Sequence, residues 1–220
     1  MTAPADPPAP NRRARGLARR QLIMDAAEEV FSEKGYYGSS LRDVSQRSGA
    51  ALGVISHHFR SKEVLFAEVV MRRRDQLLGI VSASLAAVAP QDASDHSAIE
   101  AFIRPFLRAC AERHNEIRNY IRLTSHFMST YAVPEVAPAL AQLIPISHLL
   151  VDALRQHAPG LSSGNLKIAA YLIEAALVFM VQDTGFLDAM SEGAFATATI
   201  NELISPAATF FCGGLRALAV

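Results

Sequence analysis

The sequence predicts an all-α protein, and three observations carry this prediction. No stretch combines alternating apolar and polar residues, β-branched side chains and a closing Asn-Gly or Asp-Gly turn, which together are typical of a β-hairpin. Apolar residues instead recur every three or four positions, as they do along one face of an α-helix. Glycines and prolines fall at distances that leave room for about nine helices. We therefore expect a three-helix N-terminal domain followed by a larger C-terminal helical bundle.

The first helix is predicted over about residues 16–34. Lys34 lies in its last turn, where a cation favours the negative end of the helix dipole, and Gly35 is suited to the left-handed residue that follows a helix. Its apolar face carries Leu22, Ile23, Ala26, Ala27, Val30 and Phe31. Residues 1–15 are expected to form a disordered basic tail without the apolar core of a signal peptide.

Two short helices and one long helix are expected next. The run Ser40-Leu41-Arg42-Asp43 predicts a capping box, in which Ser40 accepts a backbone N–H and Asp43 reaches back to the start of the helix. Gly49 ends this second helix, and a third covers about residues 52–59. Ser61 caps the long fourth helix, which we expect to end near Pro90.

Five further helices are predicted after a polar, acidic linker at residues 90–97. Pro105 and Pro145 are expected to kink two of them. The helix at 162–188 carries two apolar stripes, so it should be buried on both sides, and the simplest second partner is another copy of the chain. A homodimer is thus expected through the helices at 162–188 and 193–218. The five predicted ranges are 98–113, 115–130, 136–157, 162–188 and 193–218.

Composition favours a dimer over a membrane protein. Half of the residues are hydrophobic and the mean hydropathy is +0.18, which is high for a soluble monomer. The longest uncharged run, residues 136–151, has 16 residues and two prolines, whereas a spanning helix needs about 18 or more apolar residues. We therefore expect a cytoplasmic homodimer whose interface covers the excess apolar surface.

The net charge of zero conceals two halves of opposite sign. Residues 1–74 hold 13 Lys and Arg against 8 Asp and Glu, a net charge of +5, and residues 75–220 carry −5. A basic end joined to an acidic body indicates that only the first third of the chain meets a polyanion.

Enzyme function is not expected. The sequence has no glycine-rich phosphate loop, no G-x-S-x-G and no H-E-x-x-H, and its two cysteines, Cys110 and Cys212, lie far apart. His57 and His58 fall within the helix-turn-helix segment over residues 20–66, which explains them without a metal. We predict no cofactor and no metal.

Residues 20–66 carry the motif that indicates function. Three helices, with the last two short and joined by a tight turn at Gly49, have the spacing of a helix-turn-helix. In this region the sequence resembles the tetracycline-repressor (TetR) family. The matching residues are Ala26, Ala27, Phe31, Gly35, Ser40, Asp43, Val44, Gly49, Gly53, Ile55, His58, Phe59, Ser61, Lys62, Glu63 and Leu65.

Three positions depart from the family pattern. Ala51 stands where the family usually has Ser or Thr, Leu52 where a polar residue is common, and Ser56 where Tyr usually reaches a phosphate. The resemblance implies a helix-turn-helix domain over residues 16–62 and a ligand-sensing and dimerisation domain over residues 63–220.

The DNA contacts are predicted from side-chain chemistry. Ser40 and the neighbouring N–H groups can hold a phosphate, and Arg42 can reach a phosphate or a guanine. Leu52 and Val54 can contact thymine methyl groups, while Gly53 allows close approach. The predicted DNA-binding residues are Ser40, Arg42, Ala51, Leu52, Gly53, Val54, Ser56, His57 and Lys62, with Arg12, Arg13, Arg15, Arg19 and Arg20 reaching an adjacent groove. The run at 72–74 is expected to be a solvated face, with steering of DNA as the alternative.

The resemblance also implies an effector pocket within the helical bundle. Arg122 and His126 lie four residues apart, hence on one helix face, and are the predicted anchor for an anionic or polar effector. The other predicted pocket residues are Phe127, Tyr171, Phe179 and Gln182. We therefore expect a sequence-specific regulator, released as a repressor from operator DNA by a small molecule. The alternative is a non-specific or architectural DNA-binding protein without an effector.

Overall fold

The computed structural model describes residues 12–112, 114–126, 131–158, 160–183, 185–195 and 202–219. All regular structure within these ranges is helical, which confirms the predicted fold class. Besides a 3₁₀ turn at Pro90–Asp92, the helices in these ranges are α1 (Arg12–Lys34), α2 (Leu41–Ser48), α3 (Leu52–His58), α4 (Lys62–Arg72), α5 (Arg74–Ala86), α6 (Asp95–Ala111), α7 (Arg118–Ser125), α8 (Ala137–Ala141), α9 (Ile144–His157), α10 (Ser163–Gln182), α11 (Phe186–Met190) and α12 (Ile204–Leu218).

Several helix limits differ from the prediction. Residues 12–15 belong to α1 and not to a disordered tail, while residues 1–11 lie outside the described residues. The long fourth helix is divided at Arg73, whose φ of −116° and ψ of 7° interrupt the helix. Pro145 does not kink a helix but lies in the first turn of α9, where the missing N–H has no partner to lose. Pro105, in contrast, lies inside α6.

Two apolar clusters form the interior. The first joins α1–α4 to Leu123 of α7 and to Val136, Ala139 and Leu140 at α8. The second lies among α5, α6, α7, α9, α10 and α12. The predicted domain boundary at residue 62 therefore needs correction, because Leu65, Phe66, Val69 and Val70 place α4 in the core of the helix-turn-helix domain.

Charged side chains connect α1 to the break between α4 and α5. Arg73 Nε donates to Glu28 Oε2 at 2.9 Å, and Arg72 donates to Asp25 at 2.5 Å. Arg74 contacts Asp75 and Gln142. Arg72 and Arg73 are thus bound by α1, which corrects the reading of this run as a solvated face, while Arg74 pairs with Asp75 of its own helix. Steering of DNA by the run stays a prediction.

Glu28 is only 4% exposed, although it carries an acidic side chain. Burial raises its pKa more than its contacts with Arg73 and Arg72 lower it. A further buried polar contact joins the two cores, where the Tyr120 hydroxyl donates to the Val70 carbonyl at 2.6 Å. These contacts tie the N-terminal helices to the bundle.

Two segments are long and apolar enough to span a membrane by length and composition, residues 137–157 and α10. The search for an uncharged run did not select α10 as a segment of this kind, because α10 contains Lys167 and Glu174. One third of each segment's most apolar window is buried inside the described structure, and the core helix of a soluble protein passes the same test.

Candidate nucleic-acid interface and effector cavity

The turn between α2 and α3 is held by backbone geometry and two hydroxyl groups. Gly49 adopts a φ of 66°, in the left-handed region that glycine enters without strain. Ser45 Oγ donates to the Ala50 carbonyl at 2.7 Å, and Ala50 N donates to Ser48 Oγ at 3.2 Å. These contacts fix α3 relative to α2, as a helix-turn-helix requires.

The start of α2 has the predicted capping box. Asp43 N donates to Ser40 Oγ at 3.2 Å, and Ser40 N donates to Asp43 Oδ2 at 2.8 Å. Asp43 also pairs with Lys34, and this contact together with Ser40 lowers the pKa of Asp43 to about 2. Ser40 is exposed, but its hydroxyl and N–H are both hydrogen-bonded to Asp43. Its role in this structure is therefore to cap α2.

Helix α3 presents a small, mostly apolar surface to solvent. Ile55, fully buried, anchors the helix in the core, whereas Ala51, Leu52, Gly53, Ser56 and His57 are exposed and Val54 is half-buried. Ala51 makes no side-chain cap. A Cβ atom added to Gly53 would meet nothing within 4 Å, so this position faces open space. The exposed face therefore admits close contact with a flat or grooved partner.

Two cationic side chains and one aromatic side chain of this domain are exposed. Arg42 and Arg60 form no hydrogen bond or ion pair with the described residues. Tyr37 is 64% exposed, and its ring contacts that of Tyr36 edge-on. Arg60 and Tyr37 are not among the contacts predicted from the sequence, although Arg60 lies only two residues beyond the end of α3.

Two side chains predicted to contact DNA, Lys62 and Arg20, bind other residues of the protein instead. Lys62 Nζ donates to the carbonyls of Tyr36 and Ser39 at 2.9 and 3.2 Å and lies 4.1 Å from the centre of the Tyr36 ring. Arg20 pairs with Glu68 and lies over the Phe59 ring. Both cations thus position the domain, because their charged groups are turned toward α4 and the α1–α2 turn.

The N-terminal part of α1 lies near the end of α3. Burial lowers the pKa of His58, and the positive charges of His57, Arg20 and Arg19 lower it further. A neutral, half-buried His58 is suited to packing, as the sequence suggested, while the exposed His57 remains a candidate phosphate contact. Of the predicted arginines, Arg19 and Arg20 therefore lie near the end of α3, and they do so on a helix.

A cavity of about 230 Å³ lies inside the C-terminal bundle. Helices α5, α6, α7, α9 and α10 and the residue that precedes α9 form its wall. The lining residues are Leu77, Phe102, Phe106, Ile121, Thr124, Ser125, Leu143, Ile144, Ile146, Ser147, Tyr171, Glu174, Ala175, Leu177, Val178 and Val181. The apolar wall with a few polar groups is typical of a small-molecule site.

Of the predicted pocket residues, Tyr171 lines this cavity. Gln182 borders it, since its Nε2 donates to the carbonyl of the lining residue Ser125 at 2.7 Å. Phe179 is 61% exposed and packs against Phe186, so it lies on the outer face of α10. Phe127 falls outside the described residues.

Arg122 and His126 share a helix face, as predicted, but this face does not line the cavity. The His126 ring lies beside Gly35, where a Cβ atom would be 3.5 Å from Nδ1. Arg122 acts on Glu33 of α1 through its charge. The pair therefore lies at the contact between α7 and α1, because Ile121, Thr124 and Ser125 take the cavity side of α7.

Residues 23–69 match the family described as "Bacterial regulatory proteins, tetR family", and residues 100–214 match "Tetracyclin repressor-like, C-terminal domain". The HTH-type transcriptional activator FasR of Mycolicibacterium smegmatis is 34% identical over 92 residues, which are 42% of each chain. The HTH-type transcriptional repressor KstR2 of Rhodococcus jostii is 26% identical over 115 residues, 50% of this chain and 52% of that one.

These matches span about half or less of the curated relatives' length. Among solved structures, a TetR-family regulator from Agrobacterium tumefaciens has a TM-score of 0.66 at 18% identity, covering 88% of this chain and 97% of that chain. At this identity the structural likeness shows the fold alone.

Proposed function

Because this chain belongs to the TetR family of bacterial DNA-binding transcriptional regulators, we propose that it is a homodimeric, effector-controlled repressor that acts in the cytoplasm. One observation carries the proposal. Helix α3 is anchored by the buried Ile55 and held by the turn at Gly49, yet it exposes Leu52, Gly53 and Ser56 to solvent. An α-helix about 10–12 Å across fits the major groove of B-DNA, which is about 12 Å wide.

The proposed readout of bases by α3 is sparse. Leu52 and Val54 contact thymine methyl groups, and Gly53 lets the helix approach the base edges closely. Arg42 supplies the strongest polar contact, to a guanine or a phosphate, while His57 and Arg60 contact phosphates. Much of the specificity then depends on DNA shape and deformability.

Replacing Arg42 with Ala is expected to weaken operator binding by about 1–3 kcal/mol, because an exposed, unpartnered guanidinium is lost from the interface. Fluorescence anisotropy at several salt concentrations measures the effect. A contact to phosphate predicts a shallower salt dependence and uniform weakening across sequences, whereas a contact to guanine predicts relaxed specificity at one base pair.

Arg155→Ala is the matched control for this experiment, since Arg155 is an exposed cation on α9 that pairs with Asp152. Its operator affinity should equal that of the native protein. Undiminished affinity in Arg42→Ala would remove Arg42 from the interface.

The proposed dimer uses the outer face of α10 together with α12. Large apolar side chains on this surface are more than half exposed in the single chain, which is unusual for a contiguous patch on a monomer. They are Ile168, Tyr171, Leu172 and Phe179 on α10 and Phe210 on α12. A second copy that packs its own α10 and α12 here would cover them and place two α3 helices on one face, spaced for a palindromic operator.

The effector is proposed to act through the cavity in the bundle. The cavity touches α5, which leads into α4 of the DNA-binding core, and α7, which packs against α1. Gln182 of α10 also binds the Ser125 carbonyl of α7. An occupant that shifts α5 or α7 would therefore change the separation of the two α3 helices, with a coupling free energy of about 1–3 kcal/mol.

Reciprocity tests this mechanism. DNA must weaken effector binding by the same factor by which the effector weakens DNA binding. Titrations in both directions, with an inverted repeat taken from DNA that flanks the coding region, measure the two factors. An effector affinity that does not depend on DNA would contradict the mechanism, and equal affinity for unrelated duplexes would favour the architectural alternative.

The direction of regulation is part of the proposal. KstR2 is named a repressor and FasR an activator, so membership of the family alone leaves both open. Repression predicts that transcription from the neighbouring promoter rises when the protein is removed and falls when it is restored. The opposite change would assign activation.

A further inference from the structure

The polar composition of the cavity points to one class of ligand. Among its sixteen described lining residues, Glu174 is the only acidic one, and no Lys, Arg or His belongs to this lining. Glu174 lies on α10, between apolar residues that face the bundle core, and is only partly exposed. An anionic ligand would therefore meet the acidic Glu174 and no cationic side chain within the lining itself.

Three of the four hydroxyl groups in the wall, all except that of Tyr171, have the same bias. Thr124 Oγ1 donates to the Ile121 carbonyl at 2.9 Å, and Ser125 Oγ donates to the Arg122 carbonyl at 2.6 Å. Ser147 Oγ donates to Glu174 Oε2 at 3.0 Å. The hydroxyl protons of these three residues are thus already used, so they present oxygen lone pairs to an occupant.

Glu174 still has an acceptor to offer. Its Oε1 receives no hydrogen bond from the residues that the structure describes. Burial raises the pKa of this carboxyl, against the smaller opposing effects of the Ser147 hydroxyl and the nearby His148. A carboxylate in apolar surroundings is stabilised by a cation that pairs with it, because the pair restores part of the lost solvation.

We propose that the effector is an apolar amine whose protonated nitrogen donates to Glu174 Oε1 while its hydrocarbon body packs against Phe102 and Phe106. This inference rests on the proposed role of the cavity as the effector site. It replaces the anionic effector that Arg122 and His126 suggested, since those side chains face α1. Glu174 is then the residue that determines specificity for a basic nitrogen.

Three probes of one shape but different head group test the proposal: 4-phenylbutylamine, 4-phenylbutanol and 4-phenylbutanoate. Calorimetric titration of the full chain at pH 7 should show the amine binding at least about tenfold more tightly than the alcohol, as expected for a hydrogen bond between charged partners. The acid should bind most weakly of the three.

The variant Glu174→Gln keeps the shape of the side chain and removes its charge. It should reduce amine affinity to about that of the alcohol, while the alcohol affinity, which reports an intact cavity, stays the same. Glu116→Gln, at an exposed position outside the cavity lining, is the matched control and should retain the amine preference.

Undetectable amine binding, or an acid that binds as tightly as the amine, would overturn the inference. If Glu174→Gln does not fold, the ranking of the three probes on the native protein still decides. Because calorimetry uses no DNA, the proposed function is tested separately. An amine that binds but never releases the operator would contradict the proposed function alone. Release of the operator by a neutral compound, with no preference for the amine, would contradict the inference alone.

Discussion

Replacing Leu172 with Glu is expected to convert the dimer into monomers and to lower operator affinity by about 10²–10⁴-fold. Leu172 is 52% exposed and lies between Ile168 and Phe179 on the outer face of α10. A carboxylate there would have to be buried without a partner in the dimer, which strongly favours dissociation. Each monomer would then hold one half-site without the gain in effective concentration that the second α3 provides.

Sedimentation or light scattering measures the association state, and anisotropy measures the operator affinity. Gln156→Glu adds the same charge at an exposed position of α9 and should leave both unchanged. Phe210→Glu, on the neighbouring α12, should reproduce the effect of Leu172→Glu because Phe210 is 78% exposed in the single chain. A Leu172→Glu protein that remains dimeric would place the interface elsewhere.

The DNA-binding domain was predictable because its signals are local. Ser40 and Asp43, three residues apart, indicate the start of α2. Gly49 indicates the turn after it, which requires a residue in the left-handed conformation. The spacing of Val44, Ile55 and Phe59 then indicates which sides of α2 and α3 are buried, and all three are fully buried. Such features depend on a few consecutive residues, so they can be recognised in one sequence.

The cavity in the bundle was less predictable because it depends on how helices meet. Spacing correctly placed Arg122 and His126 on one face of α7, but it could not tell whether that face meets α1 or the bundle interior. Glu174 was overlooked, although an acidic residue between the two apolar stripes of α10 was a visible signal. The break at Arg73 contains neither Pro nor Gly and reflects contacts with α1 that are distant in sequence.

Replacing Arg73 with Met is expected to destabilise the protein by about 3 kcal/mol or more, because it leaves the Glu28 carboxylate buried without its main partner. Glu28 is 4% exposed. Arg72 is farther from this carboxylate than Arg73 is, with 3.8 Å between Arg72 Nη1 and Glu28 Oε2. Unfolding by urea at fixed protein concentration measures the loss. Arg155→Ala, which breaks an exposed pair, should change stability by less than about 1 kcal/mol.

The pH dependence identifies the cause of this loss. Removing Arg73 takes away an interaction that lowers the pKa of Glu28, so the folded-state pKa, already raised by burial, rises further above 4.5. A raised carboxyl pKa means that stability is retained below the unfolded-state pKa and is lost as pH increases through the folded-state pKa. The deficit of Arg73→Met should therefore be smaller near pH 5 than near pH 8.

A second substitution separates the charge of Glu28 from the packing of Arg73. Glu28→Gln combined with Arg73→Met removes the buried charge and should recover a large part of the lost stability, since replacing both partners of a buried pair costs less than removing one. It should also abolish the difference between pH 5 and pH 8. If the double variant is no more stable than Arg73→Met and its deficit does not change with pH, then Arg73 stabilises the junction through the packing of its hydrocarbon chain and Glu28 has no part in the effect.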